Sequence, residues 1–367
     1  MSRAARIVCA GISVLFTACA LSATPALALP RYSARYGQSC ALCHVNPTGG
    51  GMRTLYASQD IVPRDFAWCR ASAESLTGID PRIGPNVTIG TDFREIYYSD
   101  RGAANPQGFF QMQGDLYLAF QLGHKTTLYY ARSMTDTREA FATHYLTPSF
   151  YVKAGQFVPS SGWKFDDHTM FVRADLGFYP PAISDVGLEL GALIGGLDAQ
   201  VALVNGSRGN RLDDNRNLAG AANAVYRFRA GSANLALGAT GYHQPGSIGK
   251  QAGVYGYLNW RGLTWVGQGN LTWTDPAPVD SGRVGITSQE VSLVLRRGLD
   301  LLATYDYFDP DVDRPGDYTW RLGGGVHVMP VSYAVLEALY RATRGNAGPA
   351  YPRGDLNEVV LQLHVLY

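Results

Sequence analysis

The sequence predicts an all-β protein: a transmembrane antiparallel β-barrel, preceded by a short N-terminal segment of different character. Three observations carry this. From residue 86 to residue 367, apolar side chains recur at every second position, the period of a strand with two different environments. Short turns alternate with longer polar loops, the bacterial outer-membrane pattern in which the short turns are periplasmic. Charged residues make up only 17% of the 367 residues, Gly is abundant at 42, and Tyr (22) outnumbers Phe (14), while no apolar run after residue 30 is long enough for a transmembrane helix.

Residues 1–28 read as a secretory signal peptide. Arg3 and Arg6 form a basic start, Ile7 to Leu21 is mostly apolar, and Ala26-Leu27-Ala28 fits a small-residue cleavage site. The whole chain holds 31 Lys+Arg against 30 Asp+Glu; without the two signal arginines it is 29 against 30. That near-neutral balance argues against nucleic acid as a partner. Cys9 and Cys19 leave with the signal, so Cys40, Cys43 and Cys69 remain. An odd number in an exported chain is not a disulfide framework.

Residues 29–85 form the second unit, opening on Ser39-Cys40-Ala41-Leu42-Cys43-His44-Val45-Asn46-Pro47-Thr48-Gly49-Gly50-Gly51-Met52-Arg53. Cys-x-x-Cys-His is the attachment sequence of a c-type haem: two thiols on one turn reach the porphyrin vinyl groups, and the histidine that follows ligates iron. The expected cofactor is one covalent haem c on Cys40 and Cys43, with His44 as proximal ligand. A redox dithiol is the rival reading, although its usual βαβ setting is absent. Met52, eight residues after His44, is the candidate distal ligand, since an extended chain of that length spans ~26 Å. His124, His144, His168 and His243 are weaker candidates. Arg35, Arg53 and Tyr36 flank the motif, where the arginines could pair with haem propionates. So short a unit buries little surface of its own and needs help to stand. The expectation is a plug in, or a cap on, the periplasmic mouth of the barrel.

Residues 86–367 form the barrel. Its last segment is the clearest: Val359, Leu361, Leu363, Val365 and Tyr367 fall on one face, and Glu358, Gln362 and His364 on the other. The same alternation runs through Val291–Arg296 and Leu299–Phe308. Short turns are expected at Gly195-Gly196, Ala230-Gly231, Arg261-Gly262, Arg297-Gly298 and Met329-Pro330, and aromatic rims at Tyr97-Tyr98, Tyr129-Tyr130 and Tyr305–Phe308. Fifteen candidate strands can be marked, with 147–158 and 186–194 both running downward. An upward strand is therefore missing between them, and Thr169–Phe178 is the expected sixteenth. A barrel of that size can leave an aqueous channel.

The stretch Ala154–Gly191, with Gly155-Gln156-Phe157, Pro159, Arg173 and Asp185-Val186-Gly187, followed by Ala199–Gly206, resembles the phosphate-selective porin family. The resemblance implies an outer-membrane porin; without a dense Arg/Lys ladder, phosphate selectivity does not follow from it. The terminal Tyr367 looks like the aromatic end recognised by outer-membrane insertion machinery. One Cys-x-x-Cys-His near the mature N-terminus ahead of a sixteen-strand barrel also resembles the monohaem cytochrome–porin fusions of iron-oxidising bacteria. That resemblance implies electron transfer across the outer membrane, between an extracellular donor such as Fe(II) and a periplasmic electron carrier.

Three functions follow as expectations. The first is an electron conduit in the outer-membrane lipid bilayer. The alternative is a diffusion porin for small anions or solutes, in which the haem segment is a plug or redox sensor and the acids Asp166 and Asp167, beside Lys164 and His168, set selectivity from a loop in the lumen. The third, a haem enzyme such as a peroxidase, lacks a convincing distal acid–base pair.

Overall fold

The structure, a computed structural model, describes residues 30–69, 80–100, 107–133, 137–175, 184–213, 216–245, 249–273, 282–345 and 356–367. The predicted signal peptide lies outside them. So do parts of several expected loops.

Sixteen antiparallel strands close into a barrel. They are β1 (Val87–Asp100), β2 (Gln107–Leu122), β3 (Thr126–Ser133), β4 (Thr137–Thr147), β5 (Phe150–Phe157), β6 (Asp185–Ile194), β7 (Leu197–Val204) and β8 (Ala219–Ala230). Then come β9 (Ala233–Gln244), β10 (Gly249–Trp260), β11 (Leu263–Trp273), β12 (Arg283–Arg296), β13 (Leu299–Asp309), β14 (Thr319–Val331), β15 (Ala334–Gly345) and β16 (Leu356–Leu366). Each pairs with its sequence neighbours, and β16 seals against β1 from Glu358↔Asp100 to Leu366↔Asp92. Tyr367 extends the seam: its amide donates to the Thr91 carbonyl at 2.9 Å and its carbonyl accepts from Thr91 at 3.0 Å. The two-residue strand Arg82–Ile83 folds back on the start of β1.

The two-residue period sorts the side chains. On β12, Ser288, Glu290 and Ser292 turn into the lumen and are buried, while Leu295 faces out. On β16, Glu358 and His364 point in, and Leu361 and Leu363 point out. The outward face carries exposed Leu188, Leu190, Val201, Leu203, Leu237 and Val254. An apolar wall that broad is sheltered only by lipid. No helix among the described residues is long and apolar enough to cross a membrane; the strands do the crossing.

The strand number matches the expectation, but its membership does not. The sixteenth strand is β4, not 169–178. In β4 the outward positions hold Ala140, Ala142 and His144, whereas the large ring, Phe141, turns in and is buried. A lipid-facing row of small and polar residues gives no apolar period. β5 therefore leaves the short Pro148-Ser149 turn and runs upward, opposite to the expected direction. Within 169–178, Phe171–Asp175 is helical, and residues 176–178 lie outside the described set. Two smaller expectations also change. Strand β14 runs through Pro330 with a register shift between Val328 and Val331, so the turn falls at Ser332-Tyr333. Adjacent aromatics cannot share a rim, because neighbours on a strand face opposite ways. Tyr129 accordingly points into the lumen while Tyr130 is exposed.

Two segments fill the lumen. The first is residues 30–69, comprising the helix Pro30–Tyr36, a 3-10 turn Cys40–Leu42, and a π-turn Tyr56–Ile61 that leads into the helix Val62–Asp65. Tyr32, Ala57, Ile61, Val62, Phe66 and Ala67 form its small core, closed by Met329 and Val335 of the wall. Near the short-turn end, Trp68 and Cys69 donate to the Met329 and Pro330 carbonyls at 2.8 and 3.0 Å, and the Arg296 guanidinium lies 3.3 Å over the Trp68 ring. The second is the loop between β5 and β6, which folds inward and buries Trp163, Phe165, Met170, Phe171 and Val172 against Tyr255, Tyr257, Ile286 and Phe308.

Candidate functional site

The Cys-x-x-Cys-His turn is built tightly. Ser39 caps it, its hydroxyl accepting from the Ala41 amide at 3.3 Å and donating to Asp198 of β7 at 2.6 Å. The Cys43 and His44 amides both donate to the Cys40 carbonyl, at 3.1 and 3.0 Å. One turn thus gathers both thiols and the imidazole.

Beyond His44 the chain makes a loop and doubles back. Val45 donates to the Met52 carbonyl at 3.0 Å, Thr54 donates to the Cys43 carbonyl at 2.9 Å, and His44 bridges Arg53. The reversal needs glycine: Gly49, Gly50 and Gly51 have φ of +80°, +77° and +64°, a region most residues avoid. A Cβ on Gly51 would also collide with the Tyr129 hydroxyl, which accepts from the Met52 amide at 3.1 Å. The loop returns the Gly51 carbonyl to 3.3 Å from His44 Nδ1. That hydrogen bond orients the ring and leaves Nε2 for a metal, the usual support of a ligating histidine. Burial, aided by Arg53 and Lys164, lowers the His44 pKa to about 4. The ring is therefore neutral, as a ligand must be.

Cys40, Cys43 and His44 all line one cavity of about 250 Å³ between the plug, the inward loop and the wall. Burial pushes the Cys43 thiol up to about 11 and raises that of Cys40. Met52 does not join them. It is 2% exposed and packs with Tyr117 and Tyr129 on the wall, because the doubled-back chain sends Met52 outward while Arg53 lines the cavity. The expected eight-residue reach around a porphyrin is spent on the return of the loop instead.

The flanking residues also separate. Arg35 is ion-paired with Asp300 at 2.6 Å, and the Tyr36 hydroxyl donates to Asp65. Arg53 lines the cavity, donates to the Ser332 carbonyl at 3.4 Å, and among the described residues has no carboxylate at ion-pair distance. Lys164 shares this property. Its Nζ donates to the Gly49 carbonyl at 2.7 Å and to Thr48 Oγ1 at 3.4 Å. Three other cavity cations are matched, Arg94 with Asp166 at 2.6 Å, Arg138 with Asp115 at 2.9 Å and Arg227 with Asp198 at 2.8 Å, while Arg173 of the inward loop donates to the Phe165 carbonyl and likewise has no carboxylate at ion-pair distance among the described residues. Two thiols, a neutral oriented imidazole and cations without carboxylate partners, of which Arg53 and Lys164 are the ones whose charge acts on His44, fit a covalent haem and its propionates. The role of Lys164 at the motif was illegible in sequence, where it lies 120 residues from His44.

Of the acidic loop residues, Asp166 is held by Arg94, and Asp167 lies 3.2 Å from Arg341 of β15. Both are structural clamps between loop and wall. His124, His144 and His243 are exposed. Cys69 is a free, exposed thiol.

No protein-family model matches the sequence, and no curated protein does. Among solved structures, the fold is similar to OprB of Pseudomonas putida, with a TM-score of 0.57 and 10% identity over 77% of this chain and 94% of that one. It is also similar to OmpT of Vibrio cholerae lacking loop L8, at 0.56 and 11% over 77% and 99%. A third, the anion-selective porin of Comamonas acidovorans, stands at 0.52 and 10% over 77% and 99%. The barrel has the architecture of outer-membrane porins.

Proposed function

We propose that this chain is an outer-membrane porin whose residues 30–69 form a luminal plug carrying one covalent haem c, and that the plug governs the passage of small solutes. One observation carries the reading: a lipid-faced, sixteen-stranded barrel holds the Cys40–Cys43–His44 turn inside its lumen, on a cavity shared with the inward loop. Cys40 and Cys43 would hold the porphyrin, His44 the iron, and Arg53 and Lys164 the propionates. When bound, the haem supplies a one-electron redox centre. The chain's part is to fix the group, exclude bulk water from it, and narrow the lumen around it.

The test is planar-bilayer conductance of the haem-loaded chain against a variant lacking residues 30–69. The expected result is a small conductance in the first and a several-fold larger one in the second. Equal conductances refute the plug, and none in either refutes the channel.

A second reading, an electron conduit between an extracellular metal donor and a periplasmic carrier, is favoured by the cavity's placement. It is bounded by a plug anchored at the short-turn end and by a loop that enters from the opposite end. Proteoliposomes enclosing an oxidant test it. A Cys40→Ser, Cys43→Ser protein that passes electrons as fast as the haem-loaded chain sinks it.

A further inference from the structure

We propose that His168, on the inward loop, is the distal ligand of the haem iron; the proposal rests on the haem reading above. His168 lines the same cavity as Cys40, Cys43 and His44. It is 5% exposed, and its Nδ1 is buried without a hydrogen-bond partner. A buried polar atom left unpaired is costly and calls for an explanation.

The backbone around it is held firmly. Four residues before it, Lys164 is bonded to the haem-motif loop at Gly49. Two residues before it, Arg94 holds the Asp166 side chain at 2.6 Å and its carbonyl at 2.9 Å. One residue after it, Arg321 holds the Thr169 carbonyl at 2.7 Å, and Arg341 donates to the Thr169 hydroxyl. Neighbours on both sides are pinned, one of them to the Gly49 loop of the motif, and Nδ1 of the ring between them is the buried atom without a partner. Coordination to iron through that nitrogen would give it its partner and would tie the loop to the plug.

The other histidines are accounted for. His364 also lines the cavity, but its Nε2 lies 2.8 Å from Asp92. His327 is buried edge-on to Tyr32 and does not line the cavity. His124, His144 and His243 are exposed.

The experiment uses the full chain co-expressed with haem-ligation machinery and purified in detergent. Absorption and electron paramagnetic resonance spectra are read alongside covalent haem content. The wild type is expected to be six-coordinate and low-spin. His168→Ala should retain its covalent haem, turn high-spin, bind carbon monoxide when reduced, and return to low-spin on addition of imidazole. His168→Met should be low-spin with the charge-transfer band of a thioether ligand, and it carries the test if the alanine variant fails to fold. Met52→Leu should leave the spectrum unchanged. A haem-loaded wild type that is high-spin overturns the proposal. So does an unchanged low-spin His168→Ala spectrum, or loss of low-spin character in Met52→Leu; in all three the haem reading stands. A colourless wild type overturns both together.

Discussion

Breaking one buried ion pair should unseat the plug. The helix Pro30–Tyr36 is fastened to the wall by Arg31–Glu290 at 3.0 Å and Arg35–Asp300 at 2.6 Å, and the Arg35 and Asp300 side chains are 4% and 5% exposed. Asn234 adds hydrogen bonds to the Ala34 and Arg35 carbonyls at 3.1 and 2.8 Å. Arg35→Met leaves the Asp300 carboxylate buried beside apolar atoms, and Asp300→Leu takes the buried counter-ion from the guanidinium. Each change should weaken seating by about 3–5 kcal/mol, the usual cost of removing one partner from a buried pair. At about 1.4 kcal/mol per tenfold, the unseated population rises roughly a hundredfold to a few thousandfold. Changing both removes the remaining charge as well, so the double variant should lie within about 1 kcal/mol of the parent. The assay is protease cleavage of residues 30–69 in vesicle-reconstituted protein, in the regime where the rate follows the open population. Single variants cleaved less than threefold faster, or a double variant equal to the sum of the singles, would refute the reasoning.

Gly51→Ala should loosen the attachment loop by about 1–3 kcal/mol, from the positive φ and the collision with Tyr129, and amide exchange at Val45 and Thr54 should speed up accordingly. Val254 faces out of β10 at 63% exposure, so Val254→Lys should destabilise the barrel in lipid by up to about 2–4 kcal/mol, read by urea unfolding in vesicles; an unchanged midpoint would place that face away from hydrocarbon. Arg53→Gln and Lys164→Gln should each lower the haem midpoint potential, because a nearby cation disfavours the more positive ferric state. Spectroelectrochemistry checks this, and an upward shift in either variant contradicts the propionate assignment.

The sequence made the barrel legible wherever lipid imposed its chemistry on alternate residues. Leu361 and Leu363 disclose β16 because nothing but an apolar side chain suits that face. It failed at β4, where Ala140 and Ala142 face out and Phe141 faces in, since the lumen there is packed with aromatic rings rather than water. The same packing made Met170–Val172 read as strand, although those residues bury themselves on a loop held against the wall. The turn that gathers Cys40, Cys43 and His44 was marked in sequence because the three lie within one run of five residues, the spacing that covalent haem attachment requires. Lys164 and His168 were not legible as parts of the same cavity. Their relation to the turn exists only after β5 and β6 are placed and the loop between them falls inward. Met52 packs on the wall with Tyr117 and Tyr129, a placement the sequence did not show, because chain reach is an upper bound on distance and three glycines with positive φ turn that reach into a reversal.

The seam between the last strand and the first sets an order of assembly. Residues 30–69 are synthesised before any part of the wall, yet they end enclosed by it, gripped by Asp198, Asn234, Glu290, Asp300 and Met329 from widely spaced staves. The ring closes only when β16 pairs with β1, from Glu358↔Asp100 to Leu366↔Asp92. On the proposed haem reading, ligation would have to be finished while residues 30–69 are still bare, and the cylinder would then be completed around a loaded passenger.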